Sequence, residues 1–143
     1  MYPHNQQTWR LLLTSLWIYL LLNMLFRDVH EFFRSGFLQA ALGGVVNGNV
    51  VTEQALFYGG IALQIPLLMI VLPQLLPVFA NRCANAIAAV FMLAGTIAFN
   101  QHPDMDDLLF AATGTCALLA ILWLIWQGPR QPDEPGRGVP AGG

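Results

Sequence analysis

Apolar residues run along this chain in long blocks, and the charged positions that separate them define its elements. The uncharged runs are Leu11 to Phe26 (16 residues), Gln54 to Asn81 (28), Cys83 to Pro103 (21) and Leu108 to Pro129 (22). A helix needs about 20 apolar residues to cross a hydrocarbon core. The last three runs suffice outright. The first is short, but Arg10 and Arg27 can snorkel and the helix can continue through Phe32 and Phe33. The pattern therefore predicts an all-α protein, a four-transmembrane-helix bundle with spans near 9–33, 53–76, 82–101 and 104–127. A polar lead over 1–8 and a disordered tail over 128–143 complete the chain. In that tail nine of sixteen residues are Gly or Pro, a composition that cannot bury a core.

The fifth uncharged run, Ser35 to Thr52, carries Gly36, Gly43, Gly44, Asn47, Gly48 and Asn49 and lacks the continuity of a span. It reads as an ordered connection with a short interfacial helix around Phe37 to Leu42. Punctuation fits the spans. Thr52 or Asn49 can cap the second helix, with Glu53 in its first turn. Pro103 with Asp104, Asp106 and Asp107 suits the start of the fourth, where acids meet the positive end of the dipole. Trp9, Arg10, Trp123, Trp126 and Gln127 are expected at the inner interface. No small-residue cleavage pattern follows Leu22, so the first segment reads as a span rather than a cleaved signal.

Composition sharpens this picture. The 143 residues are 56% hydrophobic and 10% charged, with mean hydropathy +0.56; soluble domains are about 25% charged. The chain's solvent is the lipid bilayer. Six Arg, no Lys and a formal charge of −2 leave no basic face for nucleic acid. Cys83 and Cys116 lie in separate apolar segments and read as packing residues rather than a redox pair or zinc ligands. With four spans, Arg10, Arg82, Arg130 and Arg137 share a side against Arg27 and Arg34. The positive-inside rule then predicts both termini inside, N-in/C-in. Asp28, Glu31, Glu53, Asp104, Asp106 and Asp107 collect on the outer side.

Candidate chemistry lies there. At 100° per residue, Asn23, Arg27, His30 and Arg34 fall within about 60° of one another, with Glu31 adjacent and Asp28 farther round. Arg27 with Glu31 and Glu31 with Arg34 have ion-pair spacing, so the charges can simply neutralise one another on a helix end. Alternatively the polar side faces other helices and forms a shielded pocket containing a titratable His. On the second span Glu53, Phe57, Gly60 and Gln64 share a face expected to look into the bundle, because an unsatisfied amide in lipid is costly. Pro66, Pro73 and Pro77 release the carbonyls of Ala62, Met69 and Pro73 from helical bonding, and a bend is expected near Ala62 to Pro66. Small residues (Ala84, Ala88, Gly95 and Ala98; then Ala111 to Ala117) make the third and fourth spans close-packing surfaces.

The stretch Asn23-Met24-Leu25-Phe26-Arg27-Asp28-Val29-His30-Glu31-Phe32-Phe33-Arg34, with Thr52-Glu53, Ile65-Pro66, Ala80-Asn81-Arg82-Cys83-Ala84-Asn85 and Pro103-Asp104, resembles an uncharacterised bacterial family of small four-helix integral membrane proteins, a domain of unknown function. The resemblance covers roughly residues 9 to 127 and implies an inner-membrane bundle without supplying an activity or a cofactor.

The functional expectation is an outer-side pocket of Asn23, Arg27, Asp28, His30, Glu31, Arg34, Glu53 and Gln64 that binds or transports a small polar ligand, a lipid head group or a proton. One alternative is a membrane enzyme of isomerase or cyclase type, with His30 and a carboxylate as acid and base on a lipid-soluble substrate. A metal site from His30, His102 and acids is a weaker reading, and no metal or cofactor is assigned. A structural subunit docking through small-residue faces, as a homo-oligomer or in a membrane complex, is the last. No nucleotide loop, nucleophile elbow or H-E-x-x-H pattern is present.

Overall fold

The structure is a computed structural model and describes residues 4–46, 49–99 and 105–129. Its elements are α1 (His4–Glu31), α2 (Phe37–Leu42), β1 (Val45–Val46), β2 (Asn49–Val50), α3 (Glu53–Leu75), α4 (Val78–Phe99) and α5 (Met105–Gln127). The four long helices, α1, α3, α4 and α5, are each long and apolar enough to cross a membrane, and the protein is an all-α, multi-pass membrane bundle. Its two ends are distinct. The termini end holds the start of α1, the α3–α4 turn and the end of α5; the loop end holds Glu31, Glu53 and Met105.

α1 is the organising helix. It packs against α3 on one side and α5 on the other, α5 in turn packs on α4, and the α3–α4 seam is the sparsest. Trp9, Leu13, Trp17 and Leu20 recur at spacings of three and four and are buried, meeting Met69, Ala88, Ala89, Leu118, Ile121 and Ile125. Between helices in lipid there is no hydrophobic drive, so close packing and hydrogen bonds must hold the bundle. Gly114 provides one close approach: a Cβ there would stand 3.4 Å from Asn23 Oδ1 and 3.6 Å from Leu20 Cδ1.

Hydrogen bonding concentrates at the termini end, around a carbonyl that proline has released. Pro77 has no N–H to offer the Pro73 carbonyl. Asn81 Nδ2 donates to that oxygen at 2.9 Å, and the Arg10 guanidinium donates to it as well. Asn85 Nδ2 donates to Asn81 Oδ1 at 2.6 Å, and Trp17 Nε1 donates to Asn85 Oδ1 at 2.7 Å. Arg10, Asn81 and Asn85 are at most 1% exposed. Beside them Thr14 Oγ1 donates to the Ile70 carbonyl at 3.1 Å, and Gln74 Nε2 donates to Thr14 Oγ1 at 3.1 Å.

Several expectations are revised here. α1 begins at His4, so residues 4–8 of the expected polar lead are helical, and α4 begins at Val78 rather than 82. Trp9 and Arg10 are buried within the termini end of the bundle; Trp9 Nε1 donates at 3.0 Å to the Leu124 carbonyl near the end of α5. Cys83 and Cys116 are free and exposed on the outside of the bundle, not packed within it. The inward face of α3 is Pro66, Met69 and Pro73, roughly opposite Gln64 at 100° per residue. Glu53, Phe57, Gly60 and Gln64 are therefore exposed. The physical reason is the Pro73 carbonyl: serving Arg10 and Asn81 turns the proline face inward, and the other side of α3 follows. α3 runs as one helix through Pro66 and Pro73.

The loop-end connection matches its reading and adds a hairpin. α2 spans Phe37–Leu42 as expected, and Val45–Val46 pairs antiparallel with Asn49–Val50. α2 follows Gly36, whose φ of 81° is a conformation that suits a residue without Cβ. Thr52 caps α3, its Oγ1 accepting from Ala55 N at 3.1 Å. Asn100, His102, Pro103, Asp104 and the tail from Arg130 onward lie outside the described residues.

Candidate functional site

The polar stripe predicted on α1 exists, and its partner is α5. The helices run antiparallel, so the α5 partners shift from Thr113 opposite Asn23 to Asp106 opposite Arg34. Asn23 Nδ2 donates to Thr113 Oγ1 at 2.7 Å. Arg27 Nε lies 3.3 Å from Asp107 Oδ1. The His30 ring stands 6.1 Å from that of Phe110. Arg34 reaches Asp106 at 3.2 Å and Glu31 at 3.4 Å. Past Glu31 the chain tightens through bonds such as Phe33 N to His30 O and Arg34 N to Glu31 O, which keeps Arg34 above the start of α5.

Asp106 and Asp107 thus do two things at once. They sit in the first turn of α5, where the helix dipole favours acids, and they receive the guanidinium groups of α1. The sequence reading gave them only the first role. The available signal was charge complementarity: two Arg on one polar stripe and a pair of Asp at the same end of the molecule.

Of the eight residues singled out, the structure brings together Asn23, Arg27, Glu31 and Arg34 across the α1–α5 seam, with His30 beside Phe110. Asp28 is exposed on α1. Glu53 and Gln64 are exposed on α3 and do not join this group, because their face of α3 points away from the bundle. The expected Arg27–Glu31 pair gives way to Arg27–Asp107. Among the described residues no three His, Cys, Asp or Glu side chains gather as metal ligands, and His102 lies outside them.

Beside Arg27 all four long helices line a partly open cavity of about 320 Å³. α1 lines it with Leu20, Asn23, Met24 and Arg27; α3 contributes Ala62; α4 contributes Phe91, Met92, Gly95 and Thr96; α5 contributes Phe110, Ala111, Gly114 and Leu118. The volume is at the lower end of the ligand-binding range. Its polar groups are few. Thr96 Oγ1 donates back to the Met92 carbonyl at 3.0 Å, and Asn23 is engaged with Thr113. Arg27 meets Asp107 through Nε, and its side chain is 48% exposed, so the rest of its five-donor fork lies at the mouth. Small side chains make the space: Ala62, Gly95, Ala111 and Gly114 withdraw from its centre, and an added Cβ at Gly95 meets nothing within 4 Å.

A shallower furrow of about 570 Å³ runs along the outside of the α1–α5 seam, lined by Tyr19, Phe26, His30, Phe33 and Phe110 among others. Asn23 and Phe110 border both spaces.

An apolar chamber with one cationic fork at its mouth can accommodate an amphiphile. None of His30, Asp28, Glu31 and Glu53 lines the chamber, and His30 instead borders the outer furrow. No curated protein and no solved structure matches the chain. Residues 2–128 do match a family, and the chain belongs to it: DUF6326, a family of unknown function.

Proposed function

We propose that this protein is a bacterial inner-membrane module that binds an amphiphilic, lipid-soluble molecule. The apolar part occupies the four-helix cavity, and an anionic head group meets Arg27 at the loop end. The observation that carries this reading is the coincidence of a partly open, largely apolar space among the four helices with the guanidinium of Arg27 in its lining. An arginine can grip a phosphate or carboxylate through two parallel N–H bonds, and here the electrostatic cost of desolvating it is already reduced by Asp107. The sparsely packed α3–α4 seam is the proposed way in from the bilayer. Four arginines on the terminal side of the sequence, Arg10, Arg82, Arg130 and Arg137, against Arg27 and Arg34 favour termini inside and Arg27 outside.

The test is retention of lipid by the full chain. Protein released from nanodiscs containing equal phosphatidylglycerol and phosphatidylcholine is examined by native mass spectrometry. The proposal expects one tightly held anionic lipid per chain, retention falling about tenfold in Arg27→Gln, the loss of one charge-assisted contact. Gly95→Leu, whose Cβ enters open space and whose side chain takes up cavity volume, should abolish it. Equal retention of both lipids by parent and variants would overturn the reading.

A further inference from the structure

Gln64 is the twelfth of the 23 residues of α3, so it lies about 16 Å from either end of the helix at 1.5 Å per residue. That is the centre of the hydrocarbon core, where no water reaches it. Its side chain is exposed, and among the described residues no hydrogen bond satisfies its amide. The protein has chosen neither of the usual solutions, an internal partner or a position near the interface.

The surroundings of Gln64 have a pattern. Phe57, Gly60, Gln64, Leu67 and Val71 follow at alternating spacings of three and four, the 3.5-residue period of a left-handed two-helix seam. All five are exposed. Only 11% of the apolar stretch of α3 is buried in the bundle, against 22–28% for the other three long helices. An exposed apolar side chain in lipid requires no cover, so the leucine, valine and phenylalanine alone imply nothing. The amide does require a partner. A primary amide carries two donors and an acceptor, and is therefore complementary to itself when a twofold axis brings two copies together.

We infer that a second copy of this chain docks on this face of α3, with Gln64 of each copy hydrogen-bonded to Gln64 of the other at the bilayer centre. A twofold axis along the membrane normal places the two α3 helices side by side at equal depth. Gly60, one turn above, lets the backbones approach; an added Cβ there meets nothing within 4 Å inside the monomer. Glu53 lies on the same stripe but at the aqueous end, where salt screens repulsion between the two carboxylates. The single polar position in an otherwise apolar seam fixes register, as buried Asn does in coiled coils.

Subunit counting by single-molecule photobleaching tests this in liposomes, with the full chain fused to a fluorescent protein and diluted over a series of protein-to-lipid ratios. Parent protein should show two-step bleaching that gives way to single steps on dilution. Gln64→Leu should shift the midpoint about tenfold toward the monomer, the effect of one interhelical hydrogen bond in a bilayer, whereas Gln64→Asn should retain most of the association. Gly60→Leu should weaken the dimer also, because its new side chain props the helices apart. Tyr58→Leu, on an exposed face of α3 turned about 120° from Gln64, should leave it unchanged. Single steps at every density overturn the proposal, including the case in which the chain instead travels with a different membrane protein. So does Gln64→Leu behaving like parent, or Tyr58→Leu weakening the dimer as much as Gln64→Leu.

Discussion

Replacing Asn85 with leucine tests what holds the termini end together. Asn85 links α4 to α1 through Trp17 Nε1 at 2.7 Å and links to Asn81 through its side-chain oxygen at 2.6 Å and its carbonyl at 2.9 Å. Leucine fills much the same space and offers no polar atom. The Asn81 carbonyl keeps its helical partner, so two groups are orphaned: the Trp17 indole N–H and Asn81 Oδ1. Each buried orphan costs about 1–3 kcal/mol, and membrane hydrogen bonds measure at the lower end of that range. The expected loss is about 2–4 kcal/mol. Reversible unfolding in mixed micelles, followed by tryptophan fluorescence, reads it. Trp17→Phe should cost a comparable amount, from a lost donor and a packing defect. The double variant should fall short of the sum by about 1–2 kcal/mol, because both single changes break one shared bond. Asn85→Leu within about 0.5 kcal/mol of parent, or a strictly additive cycle, would refute the network as a stabilising unit.

Other predictions concern the α1–α5 seam and the outer surface. Asp107→Asn should lower stability by no more than about 1 kcal/mol, since Arg27 is half exposed and such pairs contribute little; the same unfolding assay checks it. Gly114→Leu should destabilise by about 1–3 kcal/mol through overpacking against Leu20 and Asn23, while Gly95→Leu, whose Cβ meets open space and which replaces a mid-helix glycine with a better helix former, should be no less stable than parent. Cys83, near the start of α4, should react with a maleimide in folded protein, whereas Cys116, the twelfth of the 23 residues of α5, should stay protonated in hydrocarbon and unreactive, with mass spectrometry counting one adduct in folded protein and two after unfolding. With the termini inside, Ser35→Cys in a background lacking both native cysteines should be labelled on intact cells by a membrane-impermeant reagent.

How much of this was legible in the sequence depends on the physical term that decided each feature. The spans were legible because the bilayer imposes a length on apolar runs, and Thr52 and the Phe37–Leu42 helix because capping and local apolar pattern act within a few residues. The hairpin's signal, Asn47-Gly48 between paired valines, is obscured by the glycine and asparagine content of the run around it. The stripe Asn23-Arg27-His30-Arg34 follows from helical periodicity alone, whereas its partner does not: whether α3 or α5 faces it is decided by long-range packing. Release of the Pro73 carbonyl follows from Pro77. That Arg10 and Asn81 would answer it depended on helix rotation, and Arg10 beside Trp9 carries the same local signature as an interfacial anchor. Gln64 was expected to turn inward because an amide in lipid is costly, yet α3 can satisfy only one face, and its proline face took precedence.

The central claim, an amphiphile seated beside Arg27 among four helices, is tested most directly by locating bound lipid. Protein reconstituted with a phosphatidylglycerol bearing a photoactivatable diazirine on its acyl chain is irradiated, digested and sequenced by mass spectrometry. The account predicts adducts on Met24 and Met92, inside the cavity, which disappear in Gly95→Leu while labelling of the outer faces persists. Adducts confined to outward residues such as Leu68 and Phe79, identical in parent and Gly95→Leu, would contradict it.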